Sequence, residues 1–263
     1  MINVLMKKKL KKSIRTTLKN LLILKSDYDQ RIRYNLVIRQ IGDIKGNTFL
    51  DVGCGPGVLG KLIEKQGGKV IYLTISLSDL KNIDSSAKIL GDGITLPIKY
   101  GVIDYTISTD VFEHIPIQMR ARFLEEMMNV SKKGVIFTFS RLHHANPQQS
   151  GITLFENNFK KFKIPVPDWY DEHNRNSIPE LEDIILIYPQ ININKDISAY
   201  QGRLNIIFLI FSLDLNYFLK ILTKEKIPSL IWILERLFNI IFYYIIRVID
   251  TPPFYSYTVK INK

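Results

Sequence analysis

Residues 51–57, Asp-Val-Gly-Cys-Gly-Pro-Gly, place three alternating glycines directly after an apolar run, Thr48–Val52, and directly before a helical segment opening at Val58. A chain that turns so sharply between strand and helix needs glycine. Glycine also lets the backbone lie against a ligand with no Cβ between them. The segments around this loop agree with it, because short apolar strands alternate with helical stretches as in a parallel sheet with crossover helices. The expected strands are Thr48–Val52, Lys69–Leu73, Ile89–Gly91, Val102–Ser108 and Gly134–Phe139. Helices are expected at Asp29–Ile41, Val58–Gln66, Ser78–Ile83 and Gln118–Val130, the first closed by Gly42.

Beyond the fifth strand the pattern loosens. Residues 141–177 read as a long loop with Pro147, Pro165 and Pro167, followed by a short helix at Ile178–Ile185. Strands are then expected at Ile187–Ile193 and Tyr255–Ile261, separated by an apolar helical insertion over roughly residues 200–250. Within that insertion Glu235, Asn239, Tyr243 and Arg247 recur every four residues and form a narrow polar stripe on a broadly apolar helix. Such a helix is either a lid buried against protein or an element lying at a membrane surface. Neither uncharged run, 204–213 or 237–246, reaches the ~20 residues that span a bilayer.

Charge is concentrated at the other end. The chain of 263 residues carries a formal net charge of +11, and residues 1–26 hold eight Lys or Arg, from Lys7 to Lys25, with no Asp or Glu. Leu10, Ile14, Leu18, Leu21 and Leu22 have helical spacing, so residues 1–28 read as a basic amphipathic helix ahead of a domain over 29–263. Localised positive charge of this kind points to an anionic partner for one segment. The apolar stretch Leu21–Leu24 is too short for a secretory signal. The lone cysteine, Cys54, excludes an intramolecular disulfide and a multi-cysteine metal site, and it suits a reducing compartment. No metal is expected.

The glycine loop satisfies two patterns. Gly55-Pro-Gly57-Val-Leu-Gly60 matches the dinucleotide fingerprint G-x-G-x-x-G. That reading calls for a carboxylate at the end of the second strand, where the chain has Thr74-Ile-Ser76, and it leaves Asp51 unexplained. The whole string Asp51–Gly57 resembles instead the first motif of class I S-adenosylmethionine (SAM)-dependent methyltransferases, E/D-x-G-x-G-x-G. The resemblance implies that Asp51, Gly53, Gly55 and Gly57 hold the methionine end of SAM. Thr74 departs from the family, which places Asp or Glu there for both ribose hydroxyls. A threonine offers at most one comparable contact, so a neighbour such as Ser76 or Asp79 compensates, affinity falls, or activity has been lost.

Later motifs follow in family order. Leu90-Gly-Asp92-Gly93-Ile-Thr-Leu-Pro97 is similar to G-D-A-x-x-L-P, which implies an adenine contact for Asp92 beside Gly93; read alone, it is a turn rich in Gly and Asp. Asp104 to Pro116 resembles the fourth-strand motif FDxVxSxDVLEHI, placing Ser108 to Asp110 on the methionine side. Val130-Ser-Lys-Lys-Gly134 resembles the glycine turn before strand five. The resemblance covers roughly residues 30–140. It implies a Rossmann-like α/β fold, a parallel sheet with an antiparallel last strand, and SAM as cofactor.

Methyl transfer from a sulfonium is an in-line displacement that needs donor and acceptor held about 3 Å apart and water excluded. An oxygen or nitrogen acceptor also gains from a general base. His173 (beside Glu172), His144 and His114 fall where the acceptor pocket is expected and are the candidate bases, with His143 beside them; Glu113 and His114 alternatively cap the next helix. The acceptor class that follows is a small-molecule, lipid-linked or glycan hydroxyl. The expected place of work is the cytoplasm, peripheral on the inner face of the membrane, where the basic helix and apolar insertion supply two weak attachments. A catalytically silent binding module at a membrane is the alternative. Nucleic acid is disfavoured, because the position after strand four reads Asp110-Val-Phe-Glu113 where amino-methylating enzymes carry (N/D/S)-P-P-(Y/F/W).

Overall fold

The computed structural model describes residues 28–140, 179, 181–189, 197–200 and 256–263. The basic segment 1–27, the loop 141–178 and the apolar insertion 201–255 lie outside them, and with them His143, His144 and His173. The described elements run α1 (Tyr28–Ile41), β1 (Thr48–Val52), α2 (Val58–Glu64), β2 (Lys69–Thr74), α3 (Leu77–Asn82), β3 (Lys88–Leu90) and β4 (Ile103–Thr109). A 3-10 turn at Phe112–His114 leads to α4 (Ile117–Val130), β5 (Ser131–Ser140), α5 (Leu181–Ile187), β6 (Ile197–Tyr200) and β7 (Ser256–Asn262).

All seven strands form one sheet in the order β3-β2-β1-β4-β5-β7-β6. The pairs from β3 to β5 are parallel, and β7 runs antiparallel to both β5 and β6. The expected Rossmann-like sheet with an antiparallel last strand is therefore present. Parallel strands buried on both faces cannot alternate apolar with polar residues, and these do not. Neighbours along a strand instead serve opposite core layers. Phe49, Tyr72 and Ile136 pack with Val37 and Ile41 of α1 and Ile63 of α2. Leu50, Leu73 and Phe137 pack with Phe123 and Met127 of α4 and Ile184 of α5. On α1 the inward residues Tyr34, Val37, Ile38 and Ile41 recur at helical spacing, which is why this otherwise polar helix forms.

Two expectations are corrected. No strand starts at Ile187, because α5 extends to that residue and β6 is Ile197–Tyr200. The reason is visible in the packing: Leu181, Ile184 and Tyr188 meet the core at helical spacing, Tyr188 N–H donates to the Ile184 carbonyl at 2.9 Å, and Pro189 cannot continue the ladder. Gly134 does not turn the chain into strand five either. It lies inside β5 at φ 151°, where a Cβ would come within 2.3 Å of the Ile261 carbonyl oxygen of β7. Glycine there permits the close approach of the antiparallel strand.

Among the described residues no helix is long and apolar enough to cross a membrane.

Candidate active site

The strand order reverses at β1, with β2 and β3 on one side and β4 and β5 on the other. Ligands of open α/β sheets bind outside the carboxyl ends of the strands at such a point. The glycine loop sits there. Gly53 N–H and Cys54 N–H both donate to the Leu73 carbonyl of β2, at 2.7 and 3.0 Å, which anchors the loop before Gly57 opens α2. Gly53, Gly55 and Gly57 all have left-handed φ, at 73°, 48° and 71°. The first and second glycines serve different ends. A Cβ at Gly53 would lie 2.2 Å from Val111 Cγ2, so the loop is packed against the segment that follows β4. A Cβ at Gly55 would meet nothing within 4 Å, so the crest of the loop faces open space.

Beneath the loop the Asp51 carboxyl is only 1% exposed, and neither oxygen has a hydrogen-bond partner of ordinary geometry. Burial pushes its pKa from the usual 3.8 up to about 7, and the Gly60 backbone N–H pulls weakly the other way. Burial, then the charges of Asp51 and Asp79, push the Cys54 thiol up to about 12, so it is not a nucleophile.

At the end of β4, Asp110 occupies a left-handed φ of 53°, which costs a residue with a side chain some strain. Three interactions hold it: its N–H donates to Thr138 Oγ1 at 3.1 Å, that hydroxyl donates to Asp110 Oδ1 at 3.2 Å, and Asp110 Oδ2 is ion-paired with Arg33 of α1. Arg33 is a site residue that sequence reasoning missed, since its partner lies far along the chain. Ser108 does not line the crevice; it is fully buried and donates to the Val52 carbonyl at 2.9 Å, pinning β4 to β1.

Thr74 stands at the end of β2 but points inward. It is 5% exposed, and its hydroxyl accepts the Ser76 N–H at 3.1 Å. Asp92 Oδ1 accepts from the N–H groups of Ile94 and Thr95, at 2.9 and 3.3 Å, closing a turn. Gly93 packs that turn onto the end of β1, where a Cβ would lie 2.8 Å from both Val52 and Phe123. Ile75, Leu77 and Leu90 are exposed around the ends of β2 and β3, with Ile75 at 77%, and give the crevice an apolar lip. His114 is half-buried in the 3-10 turn four residues beyond Asp110. The N-cap residue of α4 is Pro116, which makes no side-chain hydrogen bond. The structure thus brings Asp51, Gly53, Gly55, Gly57, Thr74, Asp92, Gly93 and Asp110 to one edge of the sheet. Among the described residues no group of His, Cys, Asp and Glu is arranged to hold a metal ion.

Comparison with known proteins agrees with this geometry. Residues 50–139 match the family model of a methyltransferase domain. A methyltransferase from an antibiotic biosynthesis pathway of Anabaena variabilis is 14% identical, with 89% of this chain and 96% of that one covered at a TM-score of 0.53. A mycolic acid cyclopropane synthase complexed with SAH (S-adenosylhomocysteine) and CTAB is also 14% identical, with 89% and 84% covered at a TM-score of 0.52. Identities this low establish the fold alone. Against an SAM-dependent methyltransferase from Listeria monocytogenes, 17% identical at a TM-score of 0.39, 44% of this chain aligns and spans 58% of that protein's length. No curated protein sequence matches the chain. Over residues 50–139 the chain is thus similar to a methyltransferase domain, and its fold is the one these neighbours share.

Proposed function

We propose that this protein transfers a methyl group from SAM to an oxygen of a small-molecule, lipid-linked or glycan acceptor. The observation that carries the cofactor half of this reading is the open crest at Gly55 above the buried Asp51 carboxyl, which has no hydrogen-bond partner of ordinary geometry, at the point where strand order reverses. A group that donates hydrogen bonds and carries positive charge satisfies Asp51 best, and the amino end of a methionine moiety is such a group. The backbone of Gly53–Gly57 lies against that moiety, the Asp92–Gly93 turn borders the base, and Ile75 and Leu90 offer apolar surface for its ring.

SAM supplies a methyl group on a sulfonium, which leaves readily. The chain's part is to hold the acceptor in line, keep water away and take up the acceptor's proton. His114, four residues beyond Asp110, is the one histidine among the described residues, and His144 and His173 remain the other candidate bases. Calorimetric titration with SAH tests the cofactor half, and methyl transfer to lipid-linked and free hydroxyl acceptors tests the other. Absence of heat and of thermal shift at millimolar SAH sinks the reading.

We further propose that the enzyme works at the inner face of a membrane. The cluster of eight cations within residues 1–26, with no acid among them, supports this, together with the apolar runs of 200–250. A methyltransferase-like module that binds without catalysis is the alternative; it predicts SAH binding with no turnover of any acceptor.

A further inference from the structure

We infer that the carboxyl edge of the sheet, around the first turn of α4, is the surface this protein lays against an anionic lipid bilayer; the inference rests on the membrane reading above. Pro116, Ile117, Gln118 and Met119 follow β4 at that edge, and all four are exposed. Ile117 and Met119 are 48% and 43% exposed. The first turn of a solvated helix commonly carries a capping side chain or an acid, since both answer its free N–H groups. In α4 Pro116 makes no side-chain bond, and no acidic residue stands in the turn. An apolar turn without negative charge suits the boundary between headgroups and acyl chains of an anionic leaflet. On the other side of the glycine loop, Ile75, Leu77 and Leu90 are exposed around the ends of β2 and β3. Apolar side chains therefore flank the loop on both sides.

Single exposed apolar residues are ordinary on a protein surface. What selects this edge is where the charged and apolar segments of the chain join it. Arg33, near the start of α1, pairs with Asp110 at the end of β4, whereas the Gln40 carbonyl near its end accepts from Lys260 Nζ of β7 at 2.9 Å. The start of α1 thus stands at the carboxyl edge, and Lys25, three residues before Tyr28, lies within about 11 Å of it by chain length alone. Ser140, Ser256 and Tyr200 lie side by side at the same edge, paired across β5, β7 and β6. Both ends of the segment 201–255 are fixed there, and Leu204, where its first uncharged run begins, lies within about 14 Å of Tyr200. The eight cations of residues 1–26 and the apolar runs therefore join the domain at the edge that carries the exposed turn. Cations for the headgroups and apolar groups for the acyl boundary are the paired attachments a peripheral protein needs. In this orientation the glycine loop faces the bilayer, and an acceptor held in that leaflet meets the crevice directly.

Co-sedimentation of the full chain with vesicles of phosphatidylcholine and about one-third phosphatidylserine tests this. The proteins compared are the wild type, Ile117→Glu/Met119→Glu and Tyr100→Glu/Val102→Glu. Tyr100 and Val102 are exposed too, but they stand at the amino edge, where the Gly101 and Val102 N–H groups donate to the Asn129 and Val130 carbonyls. Both variants add the same charge, so only its place differs, and thermal unfolding checks that each is folded. The α4 variant should bind vesicles about 10-fold or more weakly than the wild type, while the control stays within about 3-fold. Ile117→Gln/Met119→Gln, which adds no charge, should weaken binding in the same direction by about 3-fold or more. Equal weakening in the α4 and control variants, or α4 variants that bind like the wild type, overturns the assignment. If the α4 variants keep vesicle binding but turn an oligomer into a monomer, the turn belongs to a second copy of the chain and the assignment is wrong. A wild type that binds no vesicles removes the membrane reading itself, a different result from binding indifferent to Ile117 and Met119.

Discussion

Arg33 of α1 is ion-paired with Asp110, a residue held in a left-handed conformation at the end of β4. The pair ties the helix that precedes the sheet to the strand end bordering the glycine loop, and Thr138 of β5 completes the tie. Both side chains are largely buried, at 13% and 25% exposure, so solvent screens the pair less than a surface one. Arg33→Ala and Asp110→Ala should each destabilise the protein by roughly 1–3 kcal/mol. The double variant should cost less than the sum, and urea unfolding of all four proteins measures the coupling. Strict additivity would show that the pair contributes nothing.

Substitutions at the first and second glycines should separate stability from binding. Gly53→Ala drives a methyl into Val111 and also occupies a left-handed φ, so it should lower the melting temperature markedly. Gly55→Ala meets no neighbour and should cost only about 1–2 kcal/mol of backbone strain, yet it places a methyl on the open crest proposed to meet the ligand. Gly55→Leu should therefore abolish SAH binding in a protein that still unfolds cooperatively. Equal loss of stability in the two positions would contradict the division of roles.

Asp51 sets a pH dependence whose sign is opposite to that of a salt-bridged carboxylate. Its folded pKa of about 7 lies above the ordinary 3.8, so the folded protein binds more protons than the unfolded chain between those values. Its contribution to stability should fall as pH rises from about 4 to about 7 and stay level above that. Asp51→Asn removes the titration. The melting temperature of ligand-free wild type should therefore decline relative to Asp51→Asn between pH 5 and 8. Parallel curves across that range would place the Asp51 carboxyl in a more polar setting than this one.

The N-terminal cations lead to a membrane prediction. Each contributes roughly 1 kcal/mol near an anionic surface, less as salt is added, while apolar insertion is not screened. The intact protein should co-sediment with anionic vesicles at low salt, release progressively with salt, and bind less once residues 1–26 are deleted. Protein that stays in the supernatant with anionic vesicles at low salt would leave residues 200–250 as a lid alone.

Sequence alone determined the sheet and the loop, because both depend on local chemistry. Apolar runs of strand length, glycines at a strand–helix junction and helical spacing in Tyr34 to Ile41 each act within a few residues, and β1 to β5 formed where those signals stood. The order Asp51, Asp92, Asp110 likewise pointed to one edge of the sheet, the edge where the proposed site lies. Tertiary structure decided what each side chain does there. Whether Thr74 faces a ligand or its own turn depends on Ser76 N–H, and the role of Gly134 depends on β7 more than a hundred residues away. The partner of Asp110 is an arginine on a helix before the first strand, brought close only when α1 packs on Phe49 and Ile136. The boundary of α5 moved for the same reason: in an apolar run, helix and strand periods compete, and contact with Phe137 and its neighbours across the core selects between them.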